Sequence, residues 1–181
     1  IDKADGASEK LTFDYAILAT GSQPFIIPSL ALDSSRFMDS TSALELEDIP
    51  KSLLVIGGGY IGLELGSVYA ALGSKVTVVE MTPSLLPGAD RNLVNILSKR
   101  LRQQMHAILL NTRVAELKEQ KNGIRARFEG KNLDKTDQIF DKVLMAAGRK
   151  PVTDGLGLEN TQIQVDEKGF VKVDLQRRTN E

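Results

Sequence analysis

Between Ser52 and Glu80 the sequence leaves little choice of fold. Leu53, Leu54, Val55 and Ile56 run apolar without a break, as a strand covered on both faces does. Gly57-Gly58-Gly59-Tyr60-Ile61-Gly62 follows at once, and a helical pattern opens inside it. That helix is predicted to run to about Leu72 and to stop at Gly73, a residue suited to a left-handed cap. Lys75-Val76-Thr77-Val78-Val79-Glu80 then reads as a second, parallel strand ending on an acid. The expectation is a βαβ unit shaped for a dinucleotide.

Each part has a physical role in that reading. Gly57 permits a tight turn off the strand, Gly59 leaves room for backbone to approach a pyrophosphate, and Gly62 lets the helix lie close to the sheet. Gly66 and Ala70 continue the small-residue face at four-residue steps. The helix N-terminus offers unpaired N–H groups and a partial positive charge to phosphate oxygens. Glu80 lies 18 positions after Gly62, near the roughly 20 at which an acid meets a ribose 2′-hydroxyl. A carboxylate there repels a 2′-phosphate, and Met81, Thr82, Pro83 and Ser84 supply no base to receive one, so NAD is expected over NADP.

Composition removes other classes of function. A chain of 181 residues can build a full core. A net charge of -1 offers no field for nucleic acid and no polybasic patch for a membrane. The best apolar stretch is interrupted by glycines, Tyr60 and Glu64, so no membrane span is expected, nor a secretory leader, and a cytoplasmic location follows as the expectation. Cysteine is absent, which removes disulfide and thiol chemistry from this chain, and the single histidine, His106, is expected at the surface near a helix end. No metal site is expected. The first residue is Ile1 and the last segment, Arg178 to Glu181, has no visible stop, so both ends read as cut from something longer.

Along the chain, residues 1–10 read as polar and turn-like. Phe13 to Gly21 reads as a buried strand, followed by an extended crossing through Gln23-Pro24 and Pro28, and a short helix is expected near Ser42 to Leu46. After Pro83 and Pro87, Asp90 can cap a helix reaching about Gln104, with Leu93, Val94, Leu97, Leu101 and Met105 on its apolar face. Ala107 to Leu110 suits a third parallel strand, and Val114–Gln120 with Ile124–Phe128 reads as a hairpin around Asn122-Gly123. Gln138 to Met145 is expected as one further strand, and a second hairpin joins Ile163–Val165 to Phe170–Val173. Phe13 to Gly21 and Phe140 to Gly148 echo one another as strands ending on small residues and glycine, like an entrance and an exit to the nucleotide unit.

With these residues in place the chain resembles the flavoprotein disulfide reductases, the class I pyridine nucleotide-disulfide oxidoreductases. The resemblance rests on Ala19-Thr20-Gly21-Ser22 with Pro24, on Gly57 through Gly66, on Val76 through Glu80, on Ala147-Gly148-Arg149-Lys150-Pro151 and on Arg178-Thr179-Asn180. It implies an α/β fold, Rossmann-like with three layers: a parallel sheet, helices, and an antiparallel β-meander. It implies residues 1–22 as the end of a flanking FAD-domain segment, 23–150 as an NAD-binding domain, and 151–181 as the return. It is nearest the branch that oxidises dihydrolipoyl groups and passes hydride through FAD to NAD, working as a homodimer with lipoyl domains of 2-oxo acid dehydrogenase complexes. The implied cofactor residues are Gly57, Gly58, Gly59, Tyr60, Ile61, Gly62, Leu63 and Glu64 on the pyrophosphate and nicotinamide side. Glu80 would serve the adenosine ribose, Val114 the adenine and Gly148 the nicotinamide end. The family's cysteine pair, its FAD-binding GxGxxG and its His-Glu pair are not in this sequence, so no catalytic residue is assigned and the chain by itself is expected to be inactive. An NADP-linked disulfide reductase of the glutathione or mercuric type, a non-catalytic nucleotide-binding module and a methyltransferase remain alternatives.

Overall fold

The computed structural model describes residues 3–130, 133 and 135–181. The chain divides into two compact units, Gln23–Lys150 and the pair Ile1–Ser22 with Pro151–Glu181. The chain passes from one to the other at β1 (Ser22–Pro24). Within Gln23–Lys150 come β2 (Phe37–Met38), a short α1 (Ser42–Glu45), and then the expected unit of β3 (Ser52–Ile56), α2 (Tyr60–Ala71) and β4 (Lys75–Val79). Next are α3 (Arg91–Gln104), β5 (Ala107–Leu109) and three antiparallel strands, β6 (Thr112–Gln120), β7 (Gly123–Gly130) and β8 (Asp137–Phe140). The unit closes with β9 (Lys142–Met145), and the return crossing is β10 (Arg149–Pro151), which is hydrogen-bonded to β1.

The sheet order β2-β9-β3-β4-β5 is parallel throughout. Its two faces explain the unbroken apolar runs. Successive side chains of a strand point to opposite faces. Leu53, Val55, Val76, Val78 and Leu144 join Leu63, Tyr69, Val94, Leu101 and Met105 on the helical side. Leu54, Ile56, Val79, Val143 and Met145 meet Val114, Ile124, Phe128 and Phe140 of the meander on the other. The three layers anticipated from the sequence are therefore present. Phe128 and Phe140 meet edge to face at 6.2 Å between ring centres, a favoured aromatic geometry.

Helix ends follow local chemistry. Gly73 caps α2 with φ 104°, and the Asp90 carboxylate accepts from the Asn92 N–H at 2.8 Å at the start of α3. Gly66 packs its bare Cα against Met105, Val55 and Val76. The hairpin is also found, although its tight link is Lys121-Asn122, with Gln120 opposite Gly123. Gly123 has φ 143°, and a Cβ there would sit 2.4 Å from the Phe140 carbonyl oxygen of β8.

Four expectations need correction. Gln138–Met145 is not one strand: it breaks at Asp141, so that β8 serves the meander and β9 the parallel sheet. The Asp141 carboxylate accepts from the Ser52 N–H at 2.8 Å and the Ser52 hydroxyl at 3.0 Å, fixing that break beside β3. On α3 and its C-cap, Val94, Leu101 and Met105 are buried but Leu93 and Leu97 are exposed, because the packed stripe is narrower than the apolar one. The second hairpin reduces to one bridge, Val165 to Val171, around a turn in which Asp166 accepts from the Lys168 and Phe170 N–H groups.

The fourth concerns Phe13 to Gly21, which forms no strand apart from its junction with β1, and Tyr15 is 94% exposed. A buried parallel strand needs neighbours on both edges, and among the described residues of its unit this stretch has no strand partner, although Val152 bonds to it. The Val152 N–H donates to the Gly21 carbonyl, and the Thr20 hydroxyl donates to that of Val152. The turn expected in residues 1–10 is present at Lys3 to Ala7, where Gly6 has φ 82°; Ile1 and Asp2 lie outside the described residues.

Candidate functional site

At the carboxyl ends of β3, β4 and β9 a cleft of about 580 Å³ opens within Gln23–Lys150. It lies where the strand order turns about β3, with β4 on one side and β9 on the other, which is where open parallel sheets place ligands. Of the residues anticipated for a nucleotide, Gly57, Gly59, Tyr60, Ile61, Glu80, Val114 and Gly148 line it together. Gly58, Gly62, Leu63 and Glu64 do not. Leu63 is in the core and Glu64 is exposed on the fifth position of α2. Tyr60, at the first position of α2, is 64% exposed over the cleft.

The glycines separate into two kinds. Gly57 has φ 114°, and a Cβ there would lie 2.3 Å from the Ala146 carbonyl oxygen. A Cβ on Gly62 would lie 2.2 Å from the Gly57 carbonyl oxygen, and one on Gly58 would strike Leu85 at 2.7 Å. Gly57 and Gly62 are thus required by backbone packing, whereas at Gly58 the neighbours are side chains. Gly59 is different. Its φ of -77° suits any residue, and nothing lies within 4 Å of where its Cβ would be. It caps α2 with no side-chain hydrogen bond, and the first turn carries no acid. The first-turn N–H groups of α2 therefore face the cleft with no capping side chain, while the Glu80 carboxylate bonds one residue earlier, at Gly58.

Glu80 is 7% exposed, and each of its oxygens holds a backbone N–H. One carboxylate oxygen accepts from the Gly58 N–H at 2.7 Å, the other from the Thr82 N–H at 2.8 Å. Each oxygen keeps a lone pair, since an ionised carboxylate offers about four acceptor sites. Spacing predicted this acid's place at the end of the strand; only the fold shows that it also ties down the glycine turn. Gly148 has φ 126° with open space where its Cβ would be. The Phe25 N–H donates to its carbonyl at 3.0 Å.

Four polar lining residues were not anticipated as site residues: Thr82, Thr112, Arg113 and Arg149. The Thr112 N–H donates to the Glu80 carbonyl at 3.0 Å, carrying the start of β6 to the acid. The absence of a base from Met81–Ser84 thus did not describe the cleft, because Arg113 arrives from a different segment. Its guanidinium is held by Glu129 at 2.9 and 2.6 Å. Arg149 bonds to the Ser40 hydroxyl at 3.2 Å. No sequence spacing signals Arg113, and Arg149, although part of the Ala147–Pro151 motif, is given no role by it. Among the described residues, no group of three or more His, Cys, Asp or Glu side chains is placed to hold a metal, and no helix is long and apolar enough to cross a membrane.

Comparison with known proteins gives a consistent picture. A profile of the pyridine nucleotide-disulphide oxidoreductases matches residues 1–181. A dihydrolipoyl dehydrogenase of Vibrio cholerae is 42% identical over 180 residues, covering 98% of this chain and 38% of that protein. One from Geobacillus stearothermophilus is 41% identical over 174 residues, covering 96% and 37%. The chain thus spans little more than a third of the curated relatives it matches. Among solved structures, LpdA from Mycobacterium tuberculosis superposes with TM-score 0.85 at 30% identity, covering 98% of this chain and 38% of that one. A NAD-dependent persulfide reductase from A. fulgidus gives 0.78 at 26% identity, covering 98% and 33%.

Proposed function

The chain belongs to the pyridine nucleotide-disulphide oxidoreductase family, and we propose that Gln23–Lys150 is the NAD(H)-binding domain of a protein that oxidises dihydrolipoyl groups and passes hydride by way of FAD to NAD. The observation that carries this reading is Gly59, a glycine that neither its backbone angles nor its neighbours require. A ligand whose atoms occupy the space of a Cβ accounts for it. That ligand is anionic, since the uncapped end of α2 favours negative charge.

A bound dinucleotide fits the residues present. Its pyrophosphate meets the α2 terminus at Gly59, its adenosine ribose takes the free lone pairs of Glu80, and Val114 supplies an apolar wall for the base. Gly148 leaves its side of the cleft open for the nicotinamide end. NAD, when bound, accepts a hydride from reduced flavin. The chain's own work is to hold the dinucleotide extended across the strand ends. Tyr60 stands at the nicotinamide side in this reading, and Leu63 and Gly62 support α2 from behind.

Residues 1–22 and 151–181 fit the same proposal as segments of a flanking FAD-binding domain. The described chain has one strand–glycine–helix turn of the phosphate-binding type, used here for NAD, so the FAD adenosine site lies in the remainder of the protein. Lipoyl domains and a second copy of the protein would be its partners. An NADP-linked relative is the second reading, and Arg113 in the cleft is the observation in its favour. Glu80 and the Glu129 tether on Arg113 weigh against it. Fluorescence titration decides: NADH is expected to bind more tightly than NADPH, and the reverse order would overturn the cofactor assignment.

A further inference from the structure

We infer that Arg91 is a positioning residue for the dinucleotide, acting through one peptide of the loop Ser84–Ala89 on the glycine turn. The inference rests on the nucleotide reading of the cleft. Arg91 is the first residue of α3, where a helix's positive end disfavours a cation. Its guanidinium is held there by acceptors from the preceding loop. Nε donates to the Ala89 carbonyl at 2.9 Å. Nη1 donates to the Ser84 hydroxyl at 2.8 Å and the Leu85 carbonyl at 3.1 Å. Nη2 donates to the carbonyls of Leu86 at 2.5 Å and Ala89 at 2.6 Å. All five N–H donors of the fork are used.

The loop so gathered holds Leu86 in the left-handed region, at φ 49°, a conformation that costs a residue with a branched side chain. The Leu85–Leu86 peptide is the link. Its carbonyl faces Arg91, and its N–H, on the opposite edge of the planar trans unit, donates to the Gly58 carbonyl at 3.0 Å. The next N–H of the turn, that of Gly59, shares a peptide plane with the Gly58 carbonyl and so points away from the loop. The Gly58 N–H is fixed from the other side by Glu80. Gly58 is thereby gripped at both its polar groups, one grip made by Glu80 and the other maintained from Arg91. Loss of the fork frees the Leu85–Leu86 peptide to rotate, and the Gly59 N–H loses its fixed direction.

The test uses the 181-residue chain with R91A and R91K. Both are expected to weaken NADH and ADP-ribose by about five- to tenfold, while nicotinamide riboside, which carries no phosphate, followed by amide shifts, binds unchanged. Lysine keeps the charge but presents its donors from one nitrogen, so it behaves like alanine if the fork is what matters. Amide exchange at Leu86 is expected to quicken in both. Unchanged NADH affinity in a folded variant would overturn the inference, as would equal weakening of the phosphate-free nucleoside. Should R91A fail to fold, R91K is judged by the same outcomes. Failure of the unaltered chain to bind NADH would overturn the reading of the cleft and this inference with it, whereas normal binding with unaffected variants overturns the inference alone.

Discussion

At Gly59 and Glu80 single atoms decide what the cleft can hold. Gly59→Val places a branched side chain in space that is empty in the folded chain, so the fold is expected to survive while NADH binding is abolished. Circular dichroism with NADH titration checks both halves. Glu80→Ala removes two backbone partners as well as the proposed ribose acceptor. It should weaken NADH by on the order of 1.5–3 kcal/mol, and the Gly58 and Thr82 N–H groups left without partners should cost about 1–3 kcal/mol of stability. Urea denaturation and titration separate the two effects. An unchanged dissociation constant would remove the carboxylate from the ribose site. Glu129→Gln, by loosening Arg113, is expected to narrow the preference for NADH over NADPH in paired titrations.

The contact between α2 and the sheet is set by two glycines four residues apart, and they differ in kind. A Cβ on Gly62 meets backbone at 2.2 Å, so Gly62→Ala must push α2 off β3 and is expected to cost about 1–3 kcal/mol or more. A Cβ on Gly66 meets three side-chain carbons at 3.5 Å, ordinary contact. Gly66→Ala should therefore be neutral or gain up to about 1 kcal/mol of helix propensity. Denaturant midpoints of the two variants test the contrast. Farther along α2, Tyr69 is 1% exposed and donates to the Ala43 carbonyl at 2.8 Å, fastening α1 to it. Burial, and then the negative charge of Asp48, raise its pKa above the ordinary 10.0. The phenol is thus kept neutral in the folded chain while the unfolded chain ionises. Stability is unaffected below about pH 10 and falls as pH rises from there toward the folded value. Tyr69→Phe should lose about 1 kcal/mol at neutral pH and show a shallower alkaline loss, read from melting temperatures across alkaline buffers.

For the whole molecule, a chain without cysteine has no thiol of its own with which to oxidise a dithiol. Dihydrolipoamide and NAD mixed with this chain are expected to yield no NADH above background, although NADH itself binds. The sequence alone determined the βαβ unit and its turn, because strand burial, helix period and glycine spacing are properties of consecutive residues. Leu53 to Ile56, Gly57 to Gly62 and the acid at Glu80 could be placed without coordinates for that reason. It misjudged Phe13 to Gly21, whose composition suits a strand but whose partners no local pattern supplies. It also ran β8 and β9 together, because nothing in the order Phe140-Asp141-Lys142 reveals that Ser52 lies beside the carboxylate. Only the tertiary structure decided that Arg113 and Arg149 share the cleft with Glu80, and that Arg91 reaches the glycine turn through Leu86. Those contacts join residues far apart in the chain or turned by a loop, and their geometry exists only once the sheet has fixed where each segment ends.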